Sequence, residues 1–179
     1  MKAKELLSER RSVRKFKNEV VDRNDINEIL SLASRAPSWA NSQSIRYNII
    51  EDKEVIKKIS HDGVKGFVYN TKTLENAYNV CILSYKTTEA NKENTDIKEQ
   101  SNDWKIFDAG IAAQQFTLAC YSIGVGSVIM GIIDQDNLKQ IANIPDDETV
   151  ASLIVYGYPL TNDNKKTKRK PVEEISRYI

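Results

Sequence analysis

After Asp22, apolar residues recur at helical spacing: Ile26, Ile29, Leu30 and Ala33 fall on one side of a helix. Asp22 supplies an N-cap side chain and Asp25 adds negative charge to the first turn. Pro37 closes the stretch, because the residue before a proline avoids helical geometry. The period then changes to two. Ile45, Tyr47 and Ile49 alternate with polar neighbours and predict a strand. Lys53 to Ser60 predicts a short helix, and the compact apolar run Asn79 to Tyr85 predicts a buried strand.

Residues 86–103 break the pattern, since only Ala90 and Ile97 are apolar there. Such a segment buries little surface, and its expected place is an exposed, mobile stretch that can act as a lid. Asp103 then precedes a long helix over 104–122 carrying Ile106, Phe107, Ala109, Ala113, Phe116, Leu118 and Ala119. These residues lie around the whole helix, which predicts burial on more than one side. Gly124 takes the C-terminal glycine position. A small strand follows from Gly126 to Gly131, a short helix capped by Asp134 runs through Ile141, and Val150 to Tyr156 is the last clear strand. The tail, Thr161 to Ile179, is basic and reads as extended, with a short turn near Glu173. Helices mix with a few strands in an α+β order, and no linker divides residues 1–179, so a single domain is expected.

Composition adds bounds rather than direction. The 179 residues are 40% hydrophobic and 28% charged, with a formal net charge of +1, so no global field draws the chain to nucleic acid or a membrane surface. Met1-Lys2-Ala3-Lys4-Glu5 has no apolar signal-peptide core. The longest mostly apolar run, Ile123 to Ile133, is too short to span a bilayer. The expected location is cytoplasmic. Cys81 and Cys120 both sit in apolar runs and are expected as reduced core residues. His61 has no partner at metal-ligand spacing.

Four clusters can carry chemistry. Arg10-Arg11-Ser12-Val13-Arg14-Lys15-Phe16 packs arginine forks and a hydroxyl, the groups that bind a phosphate; a solvated basic helix end has the same composition. Ala36-Pro37-Ser38-Trp39-Ala40-Asn41-Ser42-Gln43 offers amides and hydroxyls between helix and strand, either to a flat heterocycle or to its own backbone. Gly124-Val125-Gly126-Ser127-Val128-Ile129-Met130-Gly131 lets backbone approach a ligand, or else serves as a helix cap before a buried strand. It lacks the ending of a Walker loop and the spacing of a dinucleotide fingerprint. Lys165 to Pro171 is a basic run that matters if it folds back onto an anion.

Together and in this order, the clusters resemble the nitroreductase family of FMN-dependent oxidoreductases over nearly the whole chain. Arg10 to Phe16 is similar to its opening Arg-x-Ser-x-Arg/Lys-x-Phe motif, and Ala36 to Gln43 to its Pro-Ser-x-x-Asn-x-Gln loop. Gly124 to Gly131 is similar to the segment that lies against the flavin. Tyr156-Gly157-Tyr158-Pro159 and Arg169-Lys170-Pro171 are similar to its closing Gly-Tyr-Pro…Arg-x-Pro pattern. The resemblance implies an α+β fold with a central, mainly antiparallel sheet wrapped by helices, in an interlocked homodimer with FMN at the interface. It implies that Arg10, Ser12 and Arg14 hold the FMN phosphate and ribityl chain, with Arg11 near the pyrimidine side and Arg169, or more weakly Lys168, closing on the phosphate. Pro37, Ser38 and Trp39, with Asn41 nearby, come from the second subunit. Asn70 bonds the polar edge of the ring system, and Met130 and Gly131 bring backbone amides near flavin N5. The long helix packs on its symmetry mate, and the tail 161–179 embraces the partner.

The implied activity carries two electrons from NAD(P)H to a nitroaromatic, quinone or flavin acceptor. No side-chain acid or base is required, because the cofactor carries the chemistry. A specialised dehalogenase or dehydrogenase on the same fold, and an FMN-binding protein without turnover, are the alternatives. Two departures bear on the acceptor: Ser44-Ile45 stands where the family commonly has Pro-Trp, and Trp39 is bulky where the family is often small, so it either gates the pocket or fills the dimer core. Basic residues without interleaved aromatics argue against a nucleic-acid binder.

Overall fold

The computed structural model describes residues 2–87, 101–161 and 167–179, apart from the side chains of 101–103. Four strands form one antiparallel sheet: β1 (Ile45–Ile50), β2 (Asn79–Lys86), β3 (Gly126–Met130) and β4 (Glu148–Gly157), in the order β1-β2-β4-β3. Seven helices are described around it: α1 (Ala3–Glu9), α2 (Arg23–Ala33), α3 (Lys53–Asp62), α4 (Val68–Glu75), α5 (Ser101–Ser122), α6 (Gln135–Ile141) and α7 (Val172–Ile175).

The middle of each central strand, Val80 to Leu83 in β2 and Leu153 to Tyr156 in β4, is apolar and buried at every position because both sheet faces are covered. Val80 and Ile82 of β2, with Leu153 and Val155 of β4, join a core with Ile56 and Ile59 of α3, Leu74 of α4 and Leu138 of α6. Their alternates, Cys81, Leu83, Ile154 and Tyr156, join a second core with Ile26 and Ile29 of α2 and Phe116 and Ala119 of α5. That alternation is the period of two expected of a pleated strand. Cys81 and Cys120 are free thiols in this second core, and burial pushes both pKa values up.

The caps behave as their side chains predict. Asp22 accepts from the Asn24 N–H at 2.8 Å, and Asp134 accepts from the Asn137 N–H at 3.1 Å. Gly124 takes a φ of 83° just past α5, where a residue with a Cβ is strained.

Three differences from the sequence reading have physical causes. α5 is described from Ser101, so Asp103 lies inside the helix rather than before it. β4 begins two residues early, because Glu148 pairs with Lys86 and accepts from the buried Ser84 hydroxyl at 2.6 Å. Within one chain, α5 buries one face, through Ala109, Ala112 and Phe116. On another it leaves Ile106 and Phe107 at 51% and 58% exposure. The expected lid at 86–103 falls mainly on residues 88–100, outside the described residues. No helix among the described residues is long and apolar enough to cross a membrane.

Candidate functional site

The basic segment lies along the outer edge of β3. Ser12 bridges Ser127 in parallel sense, and the Val13 N–H donates to the Ser127 carbonyl at 2.9 Å. Extended geometry turns alternate side chains to opposite sides. Val13 is buried, whereas Ser12 and Arg14 face solvent. A Cβ on Gly126 would stand 2.7 Å from a Val13 methyl, and one on Gly157 would stand 3.2 Å from the Phe16 ring. These two glycines therefore admit Val13 and Phe16. In the Gly124–Gly131 stretch, the close approach at Gly126 is to the chain itself. The Gly-Tyr-Pro stretch completes the anchoring: the Lys17 N–H donates to the Tyr158 carbonyl at 2.9 Å, and the Leu160 N–H to the Lys15 carbonyl at 3.0 Å.

This anchoring sets a cluster of positive charge. Arg10 is the C-cap of α1, and its guanidinium pKa is held below the ordinary value by burial first, then by Arg11 and by Arg169. The tail thus returns to Arg10 from the far end of the chain. Crowded guanidinium groups are relieved by an anion, and a phosphate accepts from several at once. Arg11 also donates to the Ser8 and Arg10 carbonyls at 2.6 and 2.8 Å, so part of its fork is engaged with local backbone. Arg169 donates to the Thr167 hydroxyl, and Lys168 beside it is exposed.

Asn70, on α4, donates its side-chain amide to the Ile132 carbonyl at 3.1 Å. That contact brings it to the end of β3, beside Met130 and Gly131. Met130 is buried, whereas a Cβ added at Gly131 would meet nothing within 4 Å. The backbone there is open to a ligand. A cleft of about 610 Å³ adjoins this region, lined by Arg14, Phe16, Lys17, Tyr69, Lys72 and Leu160 among others. Clustered guanidinium groups, an exposed Ser12 hydroxyl and open backbone at Gly131 fit a phosphorylated, planar cofactor.

The Pro37–Gln43 loop is elsewhere. It leads into β1, the opposite edge of the sheet from β3, about three strand spacings or roughly 14 Å away. Pro37 and Asn41 are exposed, and Ser38 and Trp39 are half-buried. Residues Trp39–Asn41 form a 3-10 turn, with positive φ at Ala40, Asn41 and Gln43. Ser38 Oγ accepts from the Gln43 N–H at 3.0 Å. The Asp108 carboxylate on α5 accepts from the Trp39 N–H at 3.0 and 3.1 Å. Asp108 carries no signal in the sequence, where a lone aspartate in a helix reads as a solvent-facing residue.

One chain therefore unites Arg10, Arg11, Ser12, Arg14, Asn70, Met130, Gly131 and Arg169 on the β3 side, with Lys168 next to Arg169 in the chain. It holds Pro37, Ser38, Trp39 and Asn41 apart from them.

Known proteins resemble this chain over most of its length. The chain is 27% identical to an FMN reductase [NAD(P)H] of Bacillus subtilis, over 95% of this chain and 70% of that protein. It is 26% identical to an iodotyrosine deiodinase of Thermotoga neapolitana, over 97% and 96% of the two chains. The crystal structure of a nitroreductase family protein from Streptococcus pneumoniae superposes with a TM-score of 0.86, at 22% identity, over 99% of this chain and all of that one. The model of the nitroreductase family matches residues 7–158, and the chain belongs to that family.

Proposed function

We propose that this protein is an FMN-dependent oxidoreductase that passes two electrons from NAD(P)H to a nitroaromatic, quinone or flavin acceptor, acting as a homodimer of single-domain subunits. The observation that carries the proposal is the arginine-rich segment bridged to β3 through Ser12 and Ser127, with Ser12 and Arg14 exposed, on the strand that leads to the open Gly131 backbone. Bound here, FMN would supply the two-electron chemistry that links NAD(P)H to the acceptor.

The chain's own residues bind and orient. Arg10, Arg14 and Arg169, with the Ser12 hydroxyl, hold the phosphate and ribityl chain, and Arg11 and Lys168 add positive charge beside them. Asn70 presents its amide to the polar edge of the ring system. Backbone amides at Met130 and Gly131 aim dipoles at the place where charge develops, which is electrostatic preorganisation. Pro37, Ser38, Trp39 and Asn41 cover the site from the partner subunit. Two observations support that arrangement. The loop lies at the opposite sheet edge from the phosphate cluster in its own chain, and α5 keeps Ile106 and Phe107 exposed. An apolar helix face is the kind of surface that a two-fold partner buries.

The deiodinase relative favours one second reading, reductive dehalogenation of an aromatic acceptor by the same cofactor. Steady-state oxidation of NAD(P)H with an added quinone, a nitroaromatic and a halophenol tests these readings. Turnover with the quinone or nitroaromatic supports the first, and halide release with the halophenol alone supports the second. No turnover with any of them indicates a flavin-binding protein without this activity.

A further inference from the structure

We infer that Asp108 is a positioning residue for the loop 37–43, its carboxylate gripping the Trp39 backbone N–H and so fixing the face that this loop presents to the cofactor. The inference rests on the FMN reading for the identity of the ligand, but the contact itself belongs to this chain.

Asp108 is 2% exposed, a burial that an acidic side chain tolerates only when its oxygens are satisfied. Its Oδ1 and Oδ2 lie 3.1 and 3.0 Å from the Trp39 nitrogen, and the Ser42 hydroxyl stands 3.5 Å from Oδ2. Its neighbours Ala109 and Ala112 on α5 are buried.

The loop needs such a grip. Ala40, Asn41 and Gln43 take φ of 48°, 53° and 49°, the left-handed region in which a Cβ is costly. Three such residues within four positions persist only where surrounding contacts over-determine the backbone. The Asn41 N–H to Ser38 carbonyl bond at 3.0 Å and the Ser42 N–H to Trp39 carbonyl bond at 2.9 Å are internal to the loop. Asp108 instead ties it to a helix. On the same helix, the following turn and the turn before carry Ile106, Phe107, Gly110 and Ile111 around an open hollow of about 480 Å³, the face assigned above to the partner. One rigid element thus sets both the subunit contact and the loop that reaches across it.

The test compares Asp108→Ala and Asp108→Asn with the parent protein. FMN affinity is read by titration, assembly by sedimentation, and the loop itself by trypsin cleavage at Arg35 in flavin-free protein. Asp108→Ala is expected to weaken FMN binding about tenfold or more and to speed cleavage at Arg35, with the dimer retained. Asp108→Asn keeps an oxygen that accepts from the Trp39 N–H and is expected to restore most of both. Ala40→Gly, which takes a positive φ freely, is expected to recover affinity in the Asp108→Ala background while changing the parent little. The inference is overturned by Asp108→Ala binding FMN within twofold of the parent, by equal losses in the Ala and Asn variants, or by no background dependence of Ala40→Gly. A parent protein that binds no FMN overturns the cofactor reading instead; the cleavage rates at Arg35 then decide on Asp108 alone, with unchanged rates against it.

Discussion

The Val13 N–H donates to the Ser127 carbonyl at 2.9 Å, so the arginine-rich segment is held by an isolated bridge on the outer edge of β3. This contact aims alternate side chains, burying Val13 and leaving Ser12 and Arg14 outward. It also closes an edge that would otherwise offer unpaired backbone groups.

That packing predicts a strict requirement at Gly126. Gly126→Ala places a methyl within 2.7 to 2.9 Å of the Val13 side chain, an overpacking that costs about 1–3 kcal/mol. Chemical denaturation should show the loss, and Val13→Ala in the same chain should recover part of it. If the double variant is no better than the sum of the two single ones, the two residues are not in conflict.

Arg10 should trade stability for binding. Its guanidinium pKa is lowered in the fold by burial, with Arg11 and Arg169 adding to the effect. A base with a lowered folded pKa disfavours folding while it is charged, and this penalty operates throughout the neutral range. Arg10→Gln should therefore leave flavin-free protein at least as stable as the parent. The same variant should weaken FMN binding by about one to two decades, the usual worth of a charge-assisted phosphate contact. Thermal melts of flavin-free protein and an FMN titration check the two halves separately.

Much of this architecture is legible in the chain. Asp22 and Asp134 announce their helices because a carboxylate before an apolar stripe is an N-cap, and the runs at 79–85 and 150–156 announce strands because they are largely apolar, the first of them a buried one. α1 and α4 are not legible. α1 buries no residue. α4 has no side-chain cap and buries only Thr73 and Leu74, so neither shows a stripe. The motif residues are recognisable as a set, but their division between two sheet edges is a property of strand order. Asp108 gives no signal, since its partner is the backbone of a residue 69 positions away.

Tyr158 should give the protein an alkaline limit. Its hydroxyl donates to Asp25 Oδ2 at 2.7 Å and accepts from the Asp22 N–H at 3.3 Å. The hydrogen bond to Asp25 is the largest of the influences that raise its pKa. A raised folded pKa contributes stability that is complete below the unfolded value near 10 and is lost as pH rises through the folded value. Tyr158→Phe should cost about 0.5–1.5 kcal/mol at neutral pH and flatten the decline in stability above about pH 10. Urea unfolding across that range checks both.

Trp39 is half-buried in its own chain, with its backbone rather than its ring supplying the contact to Asp108. If the indole covers the flavin of the partner subunit, Trp39→Ala should raise kcat/KM for bulky quinones relative to small ones while the dimer stays intact. Aromatic contact of this kind is worth about 0.5–1.5 kcal/mol beyond area. An unchanged acceptor profile with a weakened dimer would instead place the ring in the subunit core.

The dimer should depend on the exposed face of α5. Phe107→Lys puts a charge where an apolar surface is expected to be covered, and sedimentation should show monomer. If the loop 37–41 comes from the partner as proposed, that monomer should also bind FMN more weakly than the parent.

The flavin content of the purified protein tests the central claim most directly. An absorption spectrum calibrated against protein concentration should show FMN bound at one molecule per subunit, or bound to that level after FMN is added and the excess removed. A protein that stays colourless and does not retain added FMN would contradict the account, whatever its other activities.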